Sequence, residues 1–173
     1  MRVYSFFILF FLTISFYNYS KAEVPSYLDF KYILNSSDAG KKAQDFLKNK
    51  LEKGLTDITK KEKNILEEEK QIISQKKIIS QEEYKKKVSN LRNKVSSLQK
   101  ERNELLETIA KKRSKAKETL LKNLNPIVKE YMIKNNIRMV IDKKNILLAD
   151  DKLDITKEVI ALLNKKLNSI NLK

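Results

Sequence analysis

The chain lacks, over most of its length, the residues that normally interrupt a helix. Of its 173 residues only two are glycine and two are proline, and none of these falls between Leu55 and Asn125. Glycine and proline are the strongest local breaks in regular structure, so a stretch of this length without either must be mostly helical. We therefore expect a mainly α fold class, with β-structure confined to the ends of the chain (α+β).

The apolar residues of this stretch follow a coiled-coil pattern. In its first half they recur every seven residues, and in its second half they alternate steps of three and four. The first row is Leu51, Ile58, Ile65, Ile72 and Ile79, and the second is Val88, Leu91, Val95, Leu98, Arg102, Leu105, Ile109, Lys112 and Ala116. Because two members of the second row are charged, the pattern predicts a narrow apolar seam with polar interruptions.

A capping motif divides the helical region in two. Residues 80–83 (SQEE) form an S-x-x-E capping box, in which the Ser80 hydroxyl accepts a hydrogen bond from the Glu83 amide. The preceding helix must then stop near Ile79, and antiparallel partners have numbers that add to about 160. The facing pairs are Ile72–Val88, Ile65–Val95, Leu55–Leu105 and Leu51–Ile109. We predict a helical hairpin over residues 41–123, because one uninterrupted helix would leave the capping box unexplained.

The two ends of the chain, residues 23–40 and 124–173, are predicted to form a small β/α body. Residues 24–30 (VPSYLDF) have the alternation of a short strand, with Leu28 and Phe30 on one face. Pro25 confines this strand to an edge or makes it a strand start, because proline cannot donate to a β-ladder.

Helix signals flank the hairpin on both sides. Residues 35–38 (NSSD) offer N-caps for a first arm that begins near residues 39–43. On the other side, residues 125–126 (NP) are expected to end the descending helix and to start a new helical piece, because proline favours the first turn of a helix. That piece is expected to end at residues 135–136 (NN), where asparagine tolerates the left-handed conformation.

The last part of the body is predicted to be a β-hairpin followed by a helix. Residues 138–142 (RMVID) and 146–149 (ILLA) read as strands joined by residues 143–145. Asp154 or Thr156 is expected to cap the final helix. The buried face of that helix would carry Ile155, Val159, Leu162, Leu163 and Leu167.

A body of three short strands and two short helices has a small core, and such bodies often need metals, disulfides or oligomerisation. Disulfides are ruled out and nothing in the sequence supports a metal site, so self-association through the strands is the remaining route. The residues predicted to build this oligomerisation body are Leu28, Phe30, Met139, Val140, Ile141, Ile146, Leu147 and Leu148.

The N-terminus has the features of a cleaved signal peptide over residues 1–22. Arg2 precedes an 11-residue apolar run, Phe6 to Phe16, and residues 20–22 (SKA) form a small-x-small cleavage site. The alternative is a membrane anchor. Eleven residues cover only about 16 Å as a helix, whereas a bilayer core needs about 30 Å. We therefore expect an exported protein whose mature chain begins at Glu23.

Composition argues against an enzyme. The chain has no cysteine and no histidine, which removes thiol nucleophiles, the usual zinc sites and imidazole acid–base chemistry. It also lacks a P-loop and a G-x-G-x-x-G motif. We expect no catalytic residue, no metal and no cofactor.

The charge is strongly positive and unevenly distributed. Lysine and arginine number 37 against 22 acidic residues, and residues 76–129 hold 16 basic but only 6 acidic side chains. A basic face can meet nucleic acid, anionic lipid or an acidic protein, although charge runs are usually solvated surfaces. Nucleic acid is disfavoured because 32 of the basic residues are lysine and Tyr84 is the only aromatic residue between Leu47 and Val128.

Two sequence blocks flank the hairpin. They are residues 27–47 (YLDFKYILNSSDAGKKAQDFL) and residues 131–167 (YMIKNNIRMVIDKKNILLADDKLDITKEVIALLNKKL). Their order around the hairpin resembles that of the Skp/OmpH family. The resemblance covers the whole mature chain, which departs from the family in its extreme lysine bias. It implies a homotrimer in the periplasm, whose three hairpins surround a cavity. It also implies an ATP-independent holdase chaperone that keeps unfolded outer-membrane β-barrel proteins in that cavity. Contact with anionic lipid stays open.

On this interpretation the arms carry the client-binding residues. Apolar side chains outside the seam or at the tip of the hairpin would touch the client, and basic side chains near the tip would attract it. The predicted client-binding residues are Ile73, Ile78, Ile79, Tyr84, Lys85, Lys86, Lys87, Arg92, Lys94 and Leu106. For the apolar ones, the alternative role is to tighten the hairpin itself.

Two other functions are compatible with the pattern. A structural or adaptor coiled coil of the cell envelope would share the hairpin and the export signal, but a spacer has no need of the C-terminal β/α segment. A basic protein that binds lipid surfaces or nucleic acid would be recognised by an uncleaved N-terminus, or by tight, salt-sensitive binding to anionic vesicles alone.

Overall fold

A computed structural model describes residues 24–172, so the predicted signal peptide lies outside the described residues. The described part is mainly helical and carries a two-stranded sheet, as the sequence predicts. In chain order its elements are β1 (Ser26–Leu28), α1 (Phe30–Ser36), α2 (Asp38–Gln75), α3 (Gln81–Lys134), β2 (Val140–Asp142) and α4 (Thr156–Lys166), with two 3₁₀ turns at Lys143–Asn145 and Asp151–Leu153.

Helices α2 and α3 form the long hairpin, and side-chain caps define where each begins. The Ser37 hydroxyl accepts a hydrogen bond from the Gly40 amide at 3.2 Å, and the Ser80 hydroxyl accepts one from the Glu83 amide at 3.2 Å. These bonds satisfy amides that have no partner within the first helical turn. The serine half of the predicted capping box is therefore confirmed.

The loop between the arms occupies residues 76–80, because α2 ends at Gln75 rather than near Ile79. The amides of Ile78 and Ile79 both donate to the Gln75 carbonyl, which closes the last turn of the helix. This short connection is long enough to reverse the chain and makes the two helices antiparallel neighbours.

The prediction that the descending helix ends at Asn125 is wrong, since α3 continues through Pro126 to Lys134. Proline removes one backbone hydrogen bond and crowds the carbonyl four residues earlier, here that of Lys122. Both Pro126 and Lys122 are on the exposed side of the helix, where water can bind the freed carbonyl. Leu124 and Ile127, on the opposite side, are buried in the core and hold the helix in place.

Helix α3 ends as the sequence indicates. Asn135 occupies the C-cap position, and Asn136 adopts a positive φ of 54°. Asparagine tolerates this left-handed conformation better than other residues with a side chain. The chain then reverses direction and enters β2.

The predicted C-terminal β-hairpin is wrong. Strand β2 pairs in parallel with β1, with Ser26 facing Val140 and Leu28 facing Asp142. Residues 143–145 form a 3₁₀ turn, and residues 146–149 are not a strand. The Asp142 carboxylate accepts a hydrogen bond from the Lys144 amide, which favours this turn over a straight continuation. Because parallel strands require a long crossover, the entire helical hairpin serves as the connection between them.

Strand β1 is also shorter than expected. The Asp29 carboxylate accepts a hydrogen bond from the Tyr32 amide at 2.7 Å and so caps α1, which places Phe30 in a helix rather than in the strand. Tyr27, which would have faced away from Leu28 in a strand exposed on one side, is buried as well. Both faces of β1 are therefore covered by the rest of the body.

The main core lies where the foot of α3 meets α1, α4 and the sheet. Ile33, Val159 and Leu163 are completely buried, and Leu124 is nearly so. The remaining buried members of this body core are Leu28, Ala39, Leu120, Ile127 and Ile155. Leu162, which was predicted to face inward, is instead exposed beside Leu163.

The start of α4 is tied to the sheet and to α1. Thr156 begins the helix, so its N-cap is Ile155 rather than either predicted residue. The Asp154 carboxylate nevertheless accepts hydrogen bonds from the amide and hydroxyl of Thr156 and an ion pair from Lys143 at 3.2 Å. Burial alone would raise the pKa of the Asp154 carboxyl, but these bonds lower it below its usual value. The Thr156 hydroxyl also accepts a hydrogen bond from the Asp29 amide.

Candidate functional site

The two arms meet in the antiparallel register that the sequence predicts, with much of the seam made of polar contacts. Gly54 lies against Leu105, close to the predicted Leu55–Leu105 pair. Along the outer part of the arms, ion pairs cross from α2 to α3. They are Lys61–Glu101 at 2.5 Å, Glu62–Arg102 at 2.9 Å and Glu68–Lys94 at 2.6 Å.

These pairs account for one of the charged interruptions in the seam. Arg102 occupies a seam position, and Glu62 from the facing arm neutralises it. The other interruption, Lys112, donates a hydrogen bond to the backbone carbonyl of Leu172 at the C-terminal end of the described chain. Neither charge is left without a partner, so the interruptions cost less than the sequence alone would suggest.

Apolar burial along the arms is concentrated at their base. There, Ala43, Leu47, Ile109, Ala116 and Leu172 form a buried group, which we call the base cluster. Farther out only Ile58, Ile72 and Leu98 are buried, whereas the seam residue Val95 is exposed. The arms are therefore tightly packed at the base and thinly packed beyond it.

The apolar residues proposed to touch a client are mostly exposed. Ile78, in the loop at the tip, is 82% exposed, and Ile73 and Leu106 are also exposed. Ile79 is half-buried within the loop, and Tyr84 is half-buried under the Lys76 ammonium, which lies 5.8 Å from the ring centroid. The exposed three are separated along the hairpin and do not form one continuous apolar patch.

The basic residues near the tip fall into two groups. Lys85, Lys86 and Arg92 are exposed, with no ion-pair partner within residues 24–172. Lys87 donates to Gln75 at 2.7 Å, and Lys94 pairs with Glu68. The first group is therefore available to an external anion, whereas the second joins the two arms.

The residues predicted for the oligomerisation body are divided between core and surface. Leu28 is buried in the body core, and Phe30 and Val140 pack against it. Ile141 and Ile146 are half-buried, whereas Met139 is exposed. Leu147 and Leu148 are 103% and 93% exposed, respectively.

A shallow pocket on the surface of the body is lined in part by the exposed Met139. It has a volume of about 550 Å³ and is open to solvent. Its wall is largely apolar and includes Leu28, Phe30, Val128, Met132 and Met139. An exposed apolar surface of this kind is typical of a surface that another chain covers.

Sequence reasoning missed the role of the C-terminal residues. It assigned no function to anything beyond Leu167, yet Leu172 is 3% exposed and Ile170 packs against both core groups. The signal was present in the alternation of Leu167, Ile170 and Leu172 with polar residues after the helix. It was too short to distinguish from a frayed terminus.

Within residues 24–172, no helix is long and apolar enough to cross a bilayer. The same part of the chain holds no group of three or more acidic, cysteine or histidine residues that could bind a metal ion.

Comparison with known proteins supports the likeness seen in the sequence. The family model described as "Outer membrane protein (OmpH-like)" matches residues 26–163. A crystal structure of a proposed outer membrane chaperone (OmpH-like) from Caulobacter crescentus CB15 has the same fold, with a TM-score of 0.79 at 19% identity over 86% of this chain and 89% of that one. No curated protein has a significantly similar sequence. With a family match over more than half of its length, this chain belongs to the OmpH-like family.

Proposed function

We propose that this protein is an ATP-independent periplasmic holdase chaperone that binds unfolded outer membrane proteins between the helical arms of a homotrimer. The observation that carries the proposal is the family match over residues 26–163, which spans the hairpin and most of the body. The likeness in fold to a proposed outer membrane chaperone supports it. A signal peptide at residues 1–22 would deliver the chain to the periplasm.

The arms suit weak binding to many sequences. Ile73, Ile78 and Leu106 are exposed at separate points along the hairpin, so each can make a small apolar contact with a different part of a client. Many weak contacts add up through multivalency, while each one breaks easily. Such a surface shields an unfolded chain and releases it without an energy source.

The charge of the arms suits rapid capture. Lys85, Lys86 and Arg92 lie close to the tip and are exposed. An acidic client would be steered toward them, and this contribution to the association rate would fall with added salt. If the rate of client capture does not change with salt, electrostatic steering is contradicted, whereas client binding through the apolar contacts is not.

Assembly would complete the binding surface. Leu147 and Leu148 are fully exposed on the body, which also carries a shallow apolar pocket, and exposed apolar surface of this kind marks a contact with a partner. Three bodies joined there would hold three hairpins around one cavity. The trimer number comes from the family resemblance.

Native mass spectrometry of residues 23–173 tests both the assembly and the activity. The protein is measured alone and after a urea-denatured outer-membrane barrel protein is diluted into it. We expect a trimer, and a trimer that carries one unfolded client. A monomer or dimer that leaves the client to aggregate would contradict the proposal and favour an envelope adaptor.

The client surface is tested with matched variants at the same three positions. Changing Ile73, Ile78 and Leu106 to serine should weaken suppression of client aggregation several-fold, because the apolar contacts are lost. The control changes Ile73 and Ile78 to leucine and Leu106 to isoleucine, which keeps the apolar area. If both triple variants protect the client equally well, these positions do not carry client binding.

A further inference from the structure

Residues 167–172 pack along the base of the hairpin. After α4, residues 167–172 have no regular secondary structure. Leu167 packs against the body core, Ile170 packs against both the body core and the base cluster, and Leu172 is buried within the base cluster. We call residues 168–172 the tail.

The tail lies in a groove between the two arms. The groove, which we call the base groove, is made by Ala43, Phe46, Leu47, Ile109, Lys112 and Ala116. The Lys112 ammonium donates a hydrogen bond to the carbonyl oxygen of Leu172 and lies 6.0 Å from the centroid of the Phe46 ring. The groove therefore offers an apolar floor and one cationic donor at its edge.

The apolar anchors of the tail and its contact with Lys112 are features that any unfolded polypeptide can provide. Its two apolar side chains, Ile170 and Leu172, are two positions apart, which is the spacing of side chains on one face of an extended chain. Its polar contact with Lys112 is made by a main-chain carbonyl and not by a side chain. These anchors suit an extended backbone with alternate apolar residues.

We propose that the base groove is a binding site for extended apolar segments of unfolded proteins, and that the tail is its built-in, displaceable occupant. The identity of the natural ligand as an unfolded client rests on the proposed function, but peptide binding to the groove does not. The family match ends at residue 163, so the tail lies outside the region that the match describes.

The tail and an external segment would compete for the same place. A tethered occupant has a high effective concentration, so a single short peptide binds the intact protein poorly. A long unfolded client that already contacts the arms gains the same advantage of proximity and can replace the tail. Displacement would also withdraw Leu172 from the base cluster and loosen the arms where they are most tightly packed.

The test uses the full mature chain with one change in the tail. Leu172→Asp places a charge where the apolar anchor sits and should expel the tail while leaving the groove intact. Asn168→Asp makes the same change in charge at an exposed position of the tail and is the control. The probe is a fluorescein-labelled peptide of residues 164–173, with its binding measured by fluorescence anisotropy.

We expect Leu172→Asp to bind the peptide at least ten-fold more tightly than the unchanged protein or Asn168→Asp. A peptide in which Ile170 and Leu172 are replaced by serine should not bind, and adding Lys112→Met to Leu172→Asp should weaken binding of the original peptide. Circular dichroism of each variant checks that the helices are retained.

Equal affinities in Leu172→Asp and Asn168→Asp would overturn the proposal, as would binding of the serine peptide. If Leu172→Asp loses its helices, Leu172→Ala replaces it, and loss of helices in both variants also overturns the proposal because an obligatory part of the fold cannot be exchanged. Peptide binding without client capture in the mass-spectrometry experiment would support the groove as a binding site but contradict the chaperone function. Client capture without peptide binding would support the chaperone function but contradict the groove as a binding site.

Discussion

At the scale of single residues, the two glycines of the ascending arm have different roles. Both lie within α2 and neither has a positive φ, so the backbone conformation does not require glycine. A Cβ at Gly40 would collide with the backbone carbonyl of Leu34, where α1 and α2 pass closely. A Cβ at Gly54 would lie 2.5 Å from Cδ2 of Leu105, the far end of a flexible side chain. Space is therefore limiting at Gly40 and adjustable at Gly54.

This difference predicts unequal losses of stability for the same substitution at the two positions. Gly40→Ala should lower the free energy of unfolding by about 2–3 kcal/mol, because a backbone must move to make room. Gly54→Ala should stay within about 1 kcal/mol of the unchanged protein, because better helix propensity offsets the shift of Leu105. Urea denaturation followed by circular dichroism, at one protein concentration, measures both. Equal losses in the two variants would show that the close approach at Gly40 is not limiting.

At the scale of elements, the hairpin has a packed base and a polar outer part. The base cluster buries several apolar side chains, whereas the outer arms are joined by ion pairs whose side chains are about half exposed. Exposed ion pairs contribute only about 0–1 kcal/mol each and are screened by salt. The arms should therefore separate from the tip inward, while the base stays closed.

Two neighbouring glutamates test this difference. Glu68 pairs with Lys94 across the arms, whereas Glu67 pairs with Lys70 on the same helix. Glu68→Gln should speed amide hydrogen exchange in the outer arms by about two- to five-fold, because a cross-arm contact of up to 1 kcal/mol is lost. Glu67→Gln should leave that exchange nearly unchanged.

High salt should reproduce the effect of Glu68→Gln in the unchanged protein, and it should do so in the outer arms and not at the base. Hydrogen exchange measured by mass spectrometry resolves the two regions. Faster exchange at the base, or the same change in both glutamine variants, would contradict a tip-first opening.

At the scale of the whole molecule, the single chain leaves an apolar surface uncovered. The body core is small, and Leu147 and Leu148 project fully into solvent from a segment that pairs with no strand within residues 24–172. A small core gains much from association, since a partner adds buried area that one chain cannot provide. This segment is where we expect subunits to meet.

Leu148→Asp should therefore dissociate the assembly and lower the thermal midpoint, because burying a carboxylate at the contact is costly. The control Leu66→Asp makes the same change at an exposed leucine on the arm, remote from the body. Sedimentation measures the mass of each variant, and the midpoint of the unchanged protein should rise with protein concentration. If Leu148→Asp stays assembled, the subunit contact lies elsewhere, and a midpoint independent of concentration would show that association does not stabilise the fold.

The sequence by itself determined the helical hairpin, and the reason is that the relevant signals are local. The absence of glycine and proline, the seven-residue apolar spacing and the capping serines at Ser37 and Ser80 each act within a few residues of the chain. Most of the predicted client-binding residues could be named for the same reason, because a residue outside the seam of a predicted helix lies on its surface. Their part in client binding stays a prediction.

Only the tertiary structure decided the features that join distant parts of the chain. Local propensity favoured a helix stop at residues 125–126 and a β-hairpin over residues 138–149. Burial of Leu124 and Ile127 instead keeps α3 intact, and β1 pairs with β2 across the whole helical hairpin. The docking of Leu172 likewise depends on a groove that exists only once both arms are in place. These features depend on apolar area that is buried between segments far apart in the chain. A short stretch of sequence does not show which distant segment will cover it.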